Sequence, residues 1–134
     1  IILINLIELN EKCGQSHKNL KGFTHTNYNY KNQPSNTIFI LFGLPRIEFE
    51  AVLAHELLHV WLHQNQINLS PNLTEGFCNL GMYLIYQNNQ THFSKIHLMA
   101  MDKSRNFKYG IEYRNMKEKL QQIGWENLIL DIMN

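Results

Sequence analysis

Cysteine is scarce. Cys13 and Cys78 are the only two in 134 residues, far apart and outside any Cys-x-x-Cys spacing, which excludes a disulfide framework and a zinc knuckle. A reducing, cytoplasmic setting is the matching expectation. Neither sign of charge is in excess: twelve Lys and Arg face eleven Asp and Glu, for a formal net charge of +1. With the basic residues scattered there is no stripe to neutralise phosphates, so nucleic acid is not expected as a partner. Long apolar runs are missing as well. Ile1 to Leu9 is interrupted by Asn5 and Glu8, and Thr37 to Leu44 is shorter still, so neither approaches the roughly 20 residues of a membrane span. The chain opens on Ile1 with neither the basic flank nor the small-residue cleavage site of a signal peptide, and reads as a trimmed piece whose flanking domains are missing. Repeats and low-complexity linkers are absent. What remains is one domain, residues 1–134, large enough to fold without disulfides or a structural metal. Any metal it binds is then available for chemistry.

Periodicity divides this domain into three parts. Residues 1–14 read as a packing helix, with Leu3, Leu6, Ile7 and Leu9 near helical spacing and Gly14 as the stop. Residues 15–36, rich in Asn, Lys, His and Tyr, read as loop with one short strand around Phe23 to Tyr28. Residues 37–134 form the expected core. Thr37 to Phe42 is a β-branched and aromatic run closed by Gly43, suited to a buried strand. A helix of about 17 residues follows Pro45, from Arg46 to His63. Ser70-Pro71 opens a second, since Ser can accept from a free backbone N–H and Pro loses nothing at the first helical position; it is expected to reach Tyr86. Phe93 to Met101 suggests a short helix, and Ile111 to Ile132 a tail of helices broken at Gly124. Mostly helices with few strands indicate a small α+β domain.

Chemistry concentrates in His55-Glu56-Leu57-Leu58-His59. On a helix the i, i+4 spacing sets both imidazoles on one face, about one turn apart, where they can grip one ion. Neutral imidazoles suit zinc, and Glu56 can lie beside the open coordination position and take a proton from water. Val52, Leu53, Leu57, Val60 and Trp61 make the helix apolar and therefore buried. A catalytic zinc needs a third protein donor. Glu75, sixteen positions after His59 on the next helix, can be folded back by a helix-turn-helix, and Gly76 beside it would allow the two helices to approach. Asn79, one turn beyond Glu75, could accept from the second ring nitrogen of His55 or His59, or be an ordinary amide. The expected cofactor is one Zn2+ per chain held by His55, His59 and Glu75; manganese or cobalt could use the same donors.

Thr74-Glu75-Gly76-Phe77 resembles the Asn-Glu-Gly-Phe element of the gluzincin aminopeptidases, in which the Glu is the third zinc ligand and an Asp follows one turn later, where Asn79 stands here. A longer series of words is similar to the DA-one family, the ubiquitin-activated peptidases that limit organ size in plants, and to their bacterial relatives. These words are Ile38 to Arg46, Val52 to Leu62, Leu69-Ser70-Pro71, Glu75 to Cys78, and Tyr109-Gly110-Ile111-Glu112-Tyr113-Arg114, which resembles that family's Tyr-Gly-x-Gly-Phe-Arg. Glu8 to Glu11 resembles the helix preceding the peptidase core. The resemblance implies a zincin-like, minimal gluzincin fold with a short β-sheet and internal cleavage of proteins. The plant members carry ubiquitin-binding and LIM modules upstream, which are not present in this sequence. Ubiquitin-linked regulation is therefore suggested by the resemblance only. Thr74 replaces an acidic residue of the family and Glu112 a glycine, which bears on substrate contacts rather than on the metal donors.

The expected function is thus a zinc-dependent endopeptidase acting on protein or peptide substrates. Glu56 would be the general base and would return the proton to the leaving amine. Tyr109, in the family-like segment, is the first candidate for stabilising the oxyanion, with Tyr113, Arg114 and His97 behind it. The strand Thr37 to Phe42 is read as an edge that pairs with substrate backbone, or as a plain core strand. His63 is read as a solvated residue at the helix end and Cys78 as a buried filler. The alternatives are an interaction domain that keeps the peptidase fold without activity, and a peptidase silenced by residues 15–36 until a partner binds.

Overall fold

The computed structural model of the chain describes residues 1–14, 20–105 and 110–134. Strand β1 (Ile2–Ile4) leads into helix α1 (Leu6–Cys13), and strands β2 (Gly22–Tyr28) and β3 (Pro34–Leu41) follow. The start of the expected first helix is therefore a strand. Asn5 separates the two elements: its side chain accepts from the Glu8 N–H at 2.9 Å, so the helix is capped only after the β-branched run has ended. The other end stops at Gly14, whose φ of 73° is one a side chain would disfavour.

Most of the stretch expected to be loop is a β-hairpin. Register runs from Gly22↔Ile40 to Tyr28↔Pro34, antiparallel, so the boundary expected at residue 37 falls inside β3. The Asn29 side chain turns the chain by accepting from the N–H groups of Lys31 and Gln33, both at 2.9 Å. Strand β1 joins the other side of β3 in parallel, Ile2↔Phe39 to Ile4↔Leu41. Sheet order is β1-β3-β2, which places the apolar strand at the centre rather than at an edge. The edge strands are β1 and β2, and β2 is the one that contacts α2.

Helices α2 (Arg46–Gln64), α3 (Pro71–Asn89), α4 (His92–Lys103), α5 (Glu112–Ile123) and α6 (Trp125–Met133) complete the chain. On one face of β3, Ile38 and Ile40 pack with Val52 of α2; α1 contacts the sheet as well and buries Leu9. A second core lies among the helices, formed by Leu62, Phe77, Cys78, Leu80, Tyr113, Met116, Leu120 and Leu128. Phe77 stacks on Trp125 with centroids 6.1 Å apart. Two glycines set the helix spacings. A Cβ on Gly81 would lie 2.8 Å from the Ala54 carbonyl carbon and oxygen, so Gly81 is what lets α3 touch α2. Gly76, expected to serve that contact, faces α5 instead, where a Cβ would be 2.7 Å from the Glu112 carbonyl carbon.

Candidate active site

Helix α2 presents His55 and His59 one turn apart, with ring centroids 4.9 Å from each other and nearly edge to face. Glu75 reaches them from the first turns of α3, its Oε2 lying 3.4 Å from His55 Nε2 and its Oε1 3.4 Å from His59 Nε2. The two Nε2 atoms are 3.2 Å apart. His55 is 9% exposed. Its Nδ1–H donates to Asn79 Oδ1 at 2.9 Å, which fixes the neutral tautomer with Nε2 bare. A lone-pair nitrogen therefore points at a carboxylate and at a second imidazole, an arrangement that calls for a proton or a cation between them.

The donor set fits a divalent metal. Bonds of about 2.0–2.2 Å in tetrahedral array set donors about 3.3–3.6 Å apart, close to the separations here between the two imidazole nitrogens and between each nitrogen and a Glu75 oxygen. Among the described residues, His55, His59 and Glu75 are the group of His, Cys, Asp and Glu able to hold an ion. Without a metal, His55 and Glu75 shift each other's titration. Burial opposes charge on His55, but the hydrogen bond to Glu75, the nearby Glu56 and Glu75 carboxylates and Asn79 together raise its pKa. Burial likewise disfavours the Glu75 carboxylate, and its contacts with His55 and His59 outweigh this to hold it well below the usual carboxylate range.

Glu56 is 5% exposed and has its own anchor. Thr24 of β2 donates from Oγ1 to Glu56 Oε2 at 2.5 Å. His63 continues the row one turn after His59. It is not a solvated terminus: its Nδ1–H donates to Thr26 Oγ1 at 2.7 Å, and Thr26 donates in turn to Asn36 Oδ1 at 2.8 Å. Burial and the neighbouring His59 lower the His63 pKa. Cys78 is fully buried in the helical core, where burial and the Glu75 and Glu56 charges push its thiol up, which leaves it an inert filler.

A mostly apolar cavity of about 370 Å³ opens beside His55 and Glu56. Val52, Met82, Ala100 and Met101 supply apolar wall, and Tyr86 and His97 lie along it. His97 donates from Nδ1 to the Phe93 carbonyl at 2.9 Å and turns Nε2 towards Glu48 at 3.9 Å; Glu48 is itself paired with Lys21. Tyr109 lies outside the described residues. Tyr113 is fully buried in the helical core, and Arg114 binds the carbonyls of Asp102 and Ser104, so neither joins the cavity. Sequence reasoning missed Thr24 and Tyr86. Tyr86 follows Glu75, Asn79 and Met82 at helical spacing on one face of α3, and Thr24 alternates with Gly22 and Thr26 on the face of β2 turned to α2. Both periods were there to be read.

A family model described as Protein DA1, DA1-like, matches residues 3–131. Protein DA1-related 2 of Arabidopsis thaliana is 48% identical over 48 residues, 35% of this chain and 9% of that protein. The LIM domain-containing protein HDR3 of Oryza sativa subsp. japonica is 46% identical over 48 residues, 35% of this chain and 10% of its own length. Protein DA1 of Arabidopsis thaliana is 43% identical over 44 residues, 32% of this chain and 8% of that protein. The aligned stretch is thus a small part of these much longer relatives. No solved structure matches the chain. With the family model spanning the sheet and the helices of the described residues, the chain belongs to the DA1-like family.

Proposed function

We propose that this domain is a zinc-dependent endopeptidase that hydrolyses protein or peptide substrates. The observation that carries the reading is the convergence of two imidazole nitrogens and one carboxylate, each about 3.2–3.4 Å from the others, next to a buried Glu56 and an open cavity. Two imidazoles and a carboxylate favour zinc. When bound, zinc supplies a Lewis acid that polarises the scissile carbonyl and acidifies water.

The protein's own groups do the rest. His55, His59 and Glu75 hold the ion, and Asn79 keeps His55 in the tautomer whose Nε2 is available. Glu56 takes the proton of the attacking water and delivers it to the leaving amine. Substrate main chain pairs with the exposed edge of β2. The hydrogen bond from Leu41 N–H to the Lys21 carbonyl implies that Gly22, Thr24 and Thr26 turn their backbone groups away from β3. A side chain next to the scissile bond enters the apolar cavity. Tyr109, from the family-like segment, is assigned in this reading to stabilise the oxyanion.

The test is zinc content together with casein or peptide hydrolysis for the wild type, Glu56→Gln and His59→Ala. Glu56→Gln should keep zinc and lose at least about 100-fold in kcat, the usual worth of a general base. His59→Ala should lose both. Full activity in Glu56→Gln, or zinc retained by His59→Ala, would overturn the assignment. Zinc binding without turnover in the wild type would favour an interaction domain or a domain awaiting an activating partner, with ubiquitin the first candidate to add. Two free cysteines, Cys13 and Cys78, suit a reducing compartment such as the cytoplasm, and among the described residues no helix is long and apolar enough to cross a membrane.

A further inference from the structure

Glu56 is held from the sheet as well as from its own helix. On the face of β2 turned to α2, Thr26 reaches His63, Thr24 reaches Glu56, and Gly22 lies against Val52 and Glu56. Thr24 contacts only one of the two carboxylate oxygens closely, Oε2 at 2.5 Å, and it is further placed by the Glu56 carbonyl at 3.4 Å. The other oxygen, Oε1, lies beside the bare backbone of Gly22. A Cβ there would stand 3.1 Å from Oε1 and 2.6 Å from Val52 Cγ1. One oxygen is therefore tied and the other is given room.

We infer that Thr24 is a positioning residue for the general base: its hydroxyl anchors Oε2 of Glu56 so that Oε1 is the oxygen presented to water, and Gly22 keeps that oxygen's space clear. This rests on the peptidase reading of Glu56. The physical case is that a Glu side chain has three rotatable bonds, and proton transfer requires the accepting oxygen within about 2.6–3.2 Å of the donor. A single short hydrogen bond from a β-branched residue, itself restricted at χ1, removes much of that freedom before substrate arrives. Because Thr24 belongs to the strand proposed to pair with substrate, a shift of β2 moves the base with it.

The experiment compares wild type, Thr24→Val, Thr24→Ala and Thr24→Ser. For each, zinc content, kcat and KM on a peptide substrate are measured, together with the side-chain carboxyl 13C signal of Glu56 in the metal-free protein, assigned by its loss in Glu56→Gln. Thr24→Val should keep zinc and KM, lose about tenfold in kcat and move the Glu56 signal. Thr24→Ser should restore both. If Thr24→Val folds poorly, Thr24→Ala supplies the same missing hydroxyl without the added methyl. Wild-type kcat and an unmoved signal in both hydroxyl-free variants would overturn the inference, as would equal losses in Thr24→Ser. The carboxyl signal is read without turnover, so a wild type that hydrolyses nothing refutes the peptidase reading while the anchoring of Glu56 is still decided.

Discussion

At the scale of single residues, the site depends on small polar groups that a motif search passes over. Asn79 is a neutral acceptor to His55 Nδ1 at 2.9 Å, and such partners of ligating histidines are typically worth about 10–100-fold in metal affinity. Thus Asn79→Leu should weaken zinc binding by that order in a competition titration with a chelator. Asn79→Asp, by making the imidazole more basic, should tighten it; an unchanged affinity in both variants would remove Asn79 from the site. The two candidate metal-binding histidines and Glu56 were legible because their spacing is a local property of one helix. A short strand around Phe23 to Tyr28 was legible too, but the role of Thr24 was not, because its partner on α2 is 32 positions away.

At the scale of elements, what matters is how closely α3 lies against α2. Glu75 is brought to the histidines by this contact, and Gly81 permits it. Replacing a helical glycine by alanine ordinarily gains up to about 1 kcal/mol of helix propensity. Here a Cβ at 2.8 Å from the Ala54 backbone must force the helices apart, and overpacking of that kind costs about 1–3 kcal/mol. Gly81→Ala should therefore be destabilised in urea denaturation and should also bind zinc more weakly. Gly76→Ala, which strains the contact with α5, should lose stability with a smaller effect on zinc. Equal effects on zinc would mean that the α2–α3 spacing does not set the site. Sequence assigned the close approach to Gly76 because it adjoins Glu75; only the packed helices show which glycine meets which neighbour.

At the scale of the whole molecule, two of the candidate metal donors, His55 and Glu75, couple folding to pH. In the metal-free protein the His55 pKa is raised above its ordinary 6.5. Its contribution to stability is then fully present below that value and is lost as pH rises through the folded-state pKa. Glu75, held low by the same contacts, contributes above the ordinary carboxylate pKa of 4.5 and loses this as pH falls. Both shifts describe one pair and count once. Zinc held by these three residues would reverse the trend on the alkaline side, since it would displace the His55 proton. The increase in Tm on adding zinc should therefore grow as pH rises, with a midpoint above the ordinary 6.5 of a histidine. Calorimetry at fixed zinc tests this, and a Tm increase independent of pH would exclude His55 as a ligand.

The sequence alone determined the helices from Arg46 onward, the break at Gly124, the candidate metal donors and the likeness to the DA-one family, because caps, breakers and helical periods act within a few residues of one another. It also supplied the small α+β class, since long periodic segments outnumber short β-branched runs. Tertiary structure decided that Ile2 to Ile4 is a strand, that residues 22–41 form a hairpin with β3 in the centre, and that β2 is the edge beside Glu56. Strand pairing joins residues far apart in the chain, so no local period announces it, and the same three apolar residues satisfy a helix or a sheet until a partner strand takes up their hydrogen bonds.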